Sequence, residues 1–103
     1  MLPRELELTQ NYPNPFNPAT TIPFAVPAAA NGDGIAAPAV RLEIFNALGQ
    51  RVRTLVDDER AAGFYRVNWD GRDGAGRDVA SGLYLYRLAV GQRVQVARMT
   101  LLK

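Results

Sequence analysis

The sequence predicts an all-β fold, an antiparallel β-sandwich of about seven strands. Three observations carry that expectation. Apolar residues recur with period two through most of the chain, as half-buried strands require. Glycine, aspartate, asparagine and proline interrupt the alternation at hairpin spacing. No window shows the helical period of an amphipathic helix.

The first segment, "NYPNPFNPATTIPF" (residues 11–24), holds four prolines and three asparagines. Proline locks φ, lacks an N–H and pushes the residue before it away from helix. Tyr12 to Pro18 therefore reads as a stiff, turn-punctuated strap pinned by Tyr12 and Phe16, either an edge-covering lead-in or a recognition element. "TTIPFAVP" sets Ile22, Phe24 and Val26 on one face, with Pro23 demoting it to an edge strand. "AAANGDGIAAPA" (28–39) reads as a flexible loop inserted in a hairpin. "VRLEIFN" then alternates Val40, Leu42 and Ile44 against a solvated Arg41 and Glu43.

"ALGQ" closes that strand with a glycine turn, and "RVRTLV" resumes with Val52 against Arg51 and Arg53. "DDERAAG" reads as a polar connection with room for one helical turn, Asp57 and Asp58 lying in solvent. "FYRVNWD" places Tyr65, Val67 and Trp69 on one side, and residues 70–82 form a long glycine–aspartate turn. "LYLYRLAV" alternates Tyr84, Tyr86, Leu88 and Val90 against Leu83, Leu85, Arg87 and Ala89. In "RVQVARMTLLK" the apolar parity shifts from Val94 and Val96 to Ala97, Met99 and Leu101, which predicts a bulge. The sum is an immunoglobulin-like sandwich without a Cys–Trp–Cys hallmark.

At 103 residues the chain makes one domain, and 48% hydrophobic with 21% charged residues is ordinary globular composition. The net charge is +2, and Arg41, Arg51, Arg53, Arg66, Arg87 and Arg98 alternate with apolar residues as solvated strand faces do. No nucleic-acid partner is expected from so scattered a field. There is no cysteine, hence neither disulfide nor thiol chemistry. No apolar run approaches the ~20 residues of a membrane span. Met1 is followed at once by Pro3, Arg4 and Glu5 without the apolar stretch of a signal peptide, so the chain reads as a module of a larger protein.

The inventory predicts no enzyme. Histidine is absent and Ser81 is the only serine, so no histidine-based triad can be assembled. Asp70, Asp73 and Asp78 crowd one glycine-rich loop, chemistry that would suit calcium. Their spacing departs from the EF-hand, and aspartate and glycine are also what tight turns use, so no cofactor is expected. Trp69, Tyr84 and Tyr86 would make a sugar-stacking platform, but their parity assigns them to the core.

Taken in order, the Pro-Asn-Pro strap, "VRLEIFNALGQRVRTLVD", "AGFYRVNWDGRDGAGRDVASGLYLYRL" and "RMTLLK" resemble the C-terminal sorting domain (type A) of type IX secretion cargo in Bacteroidetes-like bacteria. The "WDG…G…SGxYxY" section is also similar to the immunoglobulin-like domain related to the flagellar hook-capping protein. The resemblance covers nearly the whole chain. It implies a β-sandwich secretion signal that guides an attached cargo through an outer-membrane translocon and is cut off by a sortase-like peptidase. The implied route is periplasm, then cell surface or medium. Carried over by position, the strap motif is Pro13, Asn14, Pro15, Phe16, Asn17 and Pro18, the central turn is Leu48, Gly49 and Gln50, and the hairpin motif is Gly82 and Tyr84. Two features depart from it: Arg98 stands where many members have lysine, and the 28–39 loop is longer.

On this reading residues 1–10 are linker from the upstream cargo and 11–103 the sorting domain. Residues 93–103 would offer a docking edge, with Arg98, Met99, Leu101, Leu102, Lys103, Gly82 and Tyr84 as recognition residues. The competing class is an immunoglobulin-like spacer or a carbohydrate-binding module of a surface enzyme.

Overall fold

The alternation becomes seven strands among the described residues: β1 (Glu7–Leu8), β2 (Thr20–Val26), β3 (Ala39–Asn46), β4 (Arg51–Glu59), β5 (Gly63–Trp69), β6 (Gly82–Val90) and β7 (Arg93–Leu101). The structure, a computed structural model, describes residues 2–28 and 37–103, so most of the loop expected at 28–39 lies outside the described residues. One antiparallel sheet runs β1-β2-β5 and the other β4-β3-β6-β7. Their facing sides close an immunoglobulin-like sandwich. Ile22, Phe24 and Val26 from β2 meet Val40, Leu42 and Ile44 from β3 and Tyr84, Tyr86, Leu88 and Val90 from β6, all buried as their parity requires. Each large apolar side chain so buried stabilises the fold by roughly 1.5–3 kcal/mol.

Pro23 lies not at an edge but in the middle strand of its sheet, and the reason is local. β1 pairs with β2 only through Glu7↔Ala25 and Leu8↔Phe24. Beyond them, Thr9 N–H donates to Pro23 O at 3.1 Å, but Pro23 has no N–H to return. The Thr9 carbonyl is left over and accepts from the Tyr86 hydroxyl at 2.9 Å instead. That hydroxyl in turn accepts from Asn11 N–H at 3.0 Å, so a missing ladder bond becomes a tie between the two sheets. Burial pushes the Tyr86 phenol above its ordinary value of 10.0, while the Asn11 amide pulls the other way. The folded state favours the neutral phenol, so this stabilisation is complete below the unfolded pKa and is lost as pH rises towards the folded one. Tyr86→Phe is expected to cost about 1–3 kcal/mol at neutral pH, because the buried Asn11 amide and the part-buried Thr9 carbonyl lose their partner. The variant should also lose less stability than the parent above pH 10.0, as urea titrations on either side of that pH would show.

Four further expectations are corrected. Residues 1–10 are not free of the fold: β1 lies within them and Leu6 is in the core. The first part of the polar connection after Val56, to Glu59, is strand instead, because β3 starts early enough for Arg41 and Val40 to pair with Asp57 and Asp58. Arg41 Nε and Asp57 Oδ1 stand 3.5 Å apart there. β7 carries no bulge, since its register with β6 is unbroken from Gly82↔Leu101 to Val90↔Arg93. The irregularities fall between β3 and β4, at Leu42/Glu43 and Ile44/Phe45. Finally, Glu43 faces outward yet is only 4% exposed, because β3 has neighbours on both sides. Arg51 Nη1 at 3.4 Å and Arg87 Nη1 at 3.6 Å lie across its carboxylate.

Candidate functional site

The strap is held by one plug and a set of backbone caps. Phe16 is 2% exposed, 5.6 Å between centroids from Trp69, which in turn meets Tyr84 edge-on at 5.4 Å. Such aromatic pairs add to their area burial. The plug is fixed from both sides: Phe16 N–H donates to Thr100 O, and Leu102 N–H donates to Phe16 O, each at 3.0 Å. These bonds make a parallel bridge between Phe16 and Leu101. Asn14 Oδ1 accepts from Thr100 N–H at 3.0 Å. At the other end of the strap Asn11, 2% exposed, donates from Nδ2 to Thr20 Oγ1 at 2.9 Å, and the Thr20 hydroxyl donates to Pro13 O at 3.0 Å. The peptides before Pro13, Pro15 and Pro18 are cis.

The loop after β5 abuts the strap. Gly71 has φ +76, and a Cβ there would lie 2.6 Å from Pro18 O, so only glycine fits beneath the strap. Trp69 Nε1 donates to Arg72 O at 2.9 Å, which anchors the loop to the core. The three aspartates proposed for a metal do not converge, and among the described residues no cluster of three metal-ligating side chains forms. Asp70 accepts from Arg72 N–H and pairs with Arg53 at 3.1 Å. Asp78 faces Arg72 at 3.5 Å. Asp73 accepts from the amides of Ala75 and Arg77, and the Arg77 amide above all holds its carboxyl below the ordinary 3.8. Asp70 and Asp73 thus cap turns, and Asp78 pairs with an arginine.

The structure brings most of the motif residues to one end of the sandwich. The Leu48-Gly49-Gln50 turn joins β3 to β4, with Asn46 Oδ1 accepting from the Leu48 and Gln50 amides at 3.0 Å and Gly49 at φ +83. Asn46 is opposite Tyr84, and Gly74 N–H bonds Val52 O, so this turn neighbours both the aspartate loop and the start of β6. Lys103 N–H donates to Ser81 Oγ at 2.9 Å just before Gly82. Of the expected recognition residues, Met99, Leu101 and Tyr84 are core, the Tyr84 hydroxyl donating to Ala80 O. Arg98, Leu102, Lys103 and Gly82 are exposed. Within the strap Pro13, Asn14, Pro15, Asn17 and Pro18 are exposed around the buried Phe16. Trp69, Tyr84 and Tyr86 are all buried, so they present no stacking surface.

Two glutamines do work that the sequence pattern does not reveal. Gln95 reaches across the sandwich side, accepting from Leu8 N–H and donating to Leu6 O, each at 2.9 Å. Gln10 Nε2 donates to Arg98 O at 2.9 Å. Gln10 and the strap thus cover the Arg98–Thr100 end of the outer edge of β7, while the Gln95 side chain ties β7 to the segment of β1.

Among the described residues no helix is long and apolar enough to cross a membrane. The fold is similar to part of dimeric latent PorU from Porphyromonas gingivalis, with 20% identity and a TM-score of 0.72 over 98% of this chain and 10% of that one. It is also similar to part of PorZ, an essential bacterial surface component of the type-IX secretion system of Porphyromonas gingivalis, with 22% identity and a TM-score of 0.56 over 95% of this chain and 11% of that one. At such identities the likeness speaks to the fold, and this chain spans about a tenth of the length of either protein. No curated protein matches its sequence. The model of the FlgD Ig-like domain matches residues 28–93, from the end of β2 to the start of β7. With more than half of its length matched and the sandwich formed, the chain belongs to the FlgD Ig-like domain family.

Proposed function

We propose that this domain is a sorting signal with no catalytic activity of its own, directing an attached cargo across the outer membrane through the type IX secretion system. Its partners are the outer-membrane translocon and a sortase-like peptidase that removes it, and its route runs through the periplasm to the cell surface or medium. The observation that carries the reading is convergence: the strap, the Trp69–Gly71 turn, the Gly82–Tyr84 start of β6 and the Arg98–Lys103 segment meet at one end of the sandwich. A tag read in many cargoes needs a self-contained surface of this kind rather than a cleft. The likeness to PorZ, itself a type IX component, supports the same reading.

The test is a fluorescent reporter fused upstream of the domain, behind a signal peptide, in a bacterium with a type IX system. The intact fusion should reach the surface or medium. Deleting Arg98–Lys103 should trap it in the periplasm, but that deletion also removes the core residues Met99 and Leu101. Replacing only the exposed side chains, as in Leu102→Ser with Lys103→Ser, keeps the backbone bonds of both residues and separates recognition from folding. It should lower export while the thermal midpoint of the purified domain stays within a few degrees. An intact, folded fusion that stays in the periplasm would sink the reading.

A further inference from the structure

We propose that the uncovered stretch of the β7 edge, Val94 to Ala97, takes an extended acidic–apolar segment of a partner protein as an added strand. The inference deepens the sorting reading and rests on it for placing that partner in the export machinery.

Parity within the strand assigns the edge. The outward backbone groups of β7 are those of Arg98 and Thr100, since Gln10 bonds Arg98 O, Asn14 bonds Thr100 N–H and Phe16 bonds Thr100 O. The register with β6 is unbroken, so the same parity turns the N–H and C=O of Val94 and Val96 outward. Among the described residues no hydrogen bond from the strap reaches either valine. The usual protections of an edge are missing here: this stretch has no proline, lysine or bulge. Val94 is 48% and Val96 56% exposed, two valines side by side on the outer face at a free edge. Gln95, between them, is tied inward to Leu6 and Leu8, which holds the strand in place before any partner arrives.

Charge selects the occupant. Residues 79–103 contain Arg87, Arg93, Arg98 and Lys103 and no aspartate or glutamate. Of these, only Arg87 forms an ion pair among the described residues, with Glu43 at 3.6 Å. A second copy of β7 would bring basic residues against basic residues, whereas a strand with acidic ends and an apolar middle lays its centre on Val94 and Val96 and one acid on Arg98, all on the outer face. Backbone bonds would supply affinity, and the acids would supply register.

A peptide labelled at its N-terminus, fluoresceinyl-Glu-Thr-Val-Thr-Val-Thr-Glu-amide, tests this by fluorescence anisotropy at low salt against the same labelled peptide with lysine ends. The full chain should bind the acidic peptide and not the lysine one. Val96→Pro removes an outward N–H that the fold does not use, and should weaken binding by at least about tenfold. Arg98→Glu should do likewise and keeps the fold if the proline does not. Unchanged binding in both variants, or no binding by the parent chain, overturns the proposal. A parent dimer in sedimentation that Val96→Pro dissolves assigns the edge to a second copy, and also overturns it. In the reporter assay, a folded Val96→Pro fusion exported as well as the parent overturns this site while the sorting reading stands. Edge-dependent peptide binding by a domain whose intact fusion is not exported supports the edge and sinks the sorting reading.

Discussion

Phe16→Ala is expected to destabilise the domain by about 3–5 kcal/mol, the range for removing a buried aromatic and leaving a cavity. The site has little freedom to collapse. Phe16 rests on Trp69, and its own backbone is bonded on both sides to Thr100 and Leu102. The loss would be a large part of the 5–15 kcal/mol by which domains of this size are stable. A drop in thermal midpoint of at least about 10 °C should follow. Because Phe16 anchors the cap on β7, limited proteolysis should also cut the variant first between Asn11 and Pro18. A variant within about 1 kcal/mol of the parent in urea titration would show that the plug does not hold the strap.

Gly71→Ala is expected to cost about 2–4 kcal/mol, from two sources that a control can separate. The residue sits at φ +76, where a side chain is strained, and its Cβ would meet Pro18 O at 2.6 Å. Gly76 has nearly the same backbone, φ +82, but nothing lies within 4 Å of its Cβ. Gly76→Ala should therefore cost only the backbone strain, about 1 kcal/mol. The difference between the two variants measures the contact between the aspartate loop and the strap. Equal losses would mean that the strap yields freely at Pro18, and that the loop does not brace it.

What the pattern of residues conveys well is what period two encodes. Val40, Leu42 and Ile44, or Tyr84, Tyr86, Leu88 and Val90, each announce a buried face without reference to any other strand. Trp69 and Tyr84 were placed in the core by the same parity. Glu43 shows the limit. Its outward parity was legible, but its burial follows from Arg51 and Arg87 on the strands at either side of it. The supposed bulge in β7 shows another. A change of apolar parity can mean a bulge or simply apolar side chains on the outer face, and only pairing with β6 distinguishes them.

The candidate site divides in the same way. The strap was recognisable as a proline-punctuated segment pinned by Phe16, and the terminal hairpin as an edge. Met99 and Leu101 cannot greet a partner while they fill the core, and the strap itself covers the end of the edge they lie on. Gln10, Asn11 and Gln95 are indistinguishable in sequence from any solvated polar residue.

The sequence by itself determined the β-sandwich, the core faces and the turns, because alternation and turn chemistry act between near neighbours in the chain. Only the tertiary structure decided which edge is sealed and which stays open. Those outcomes rest on contacts such as Leu8 with Gln95 and Phe16 with Leu101, between residues more than 80 positions apart. No local pattern encodes which backbone groups such contacts will meet.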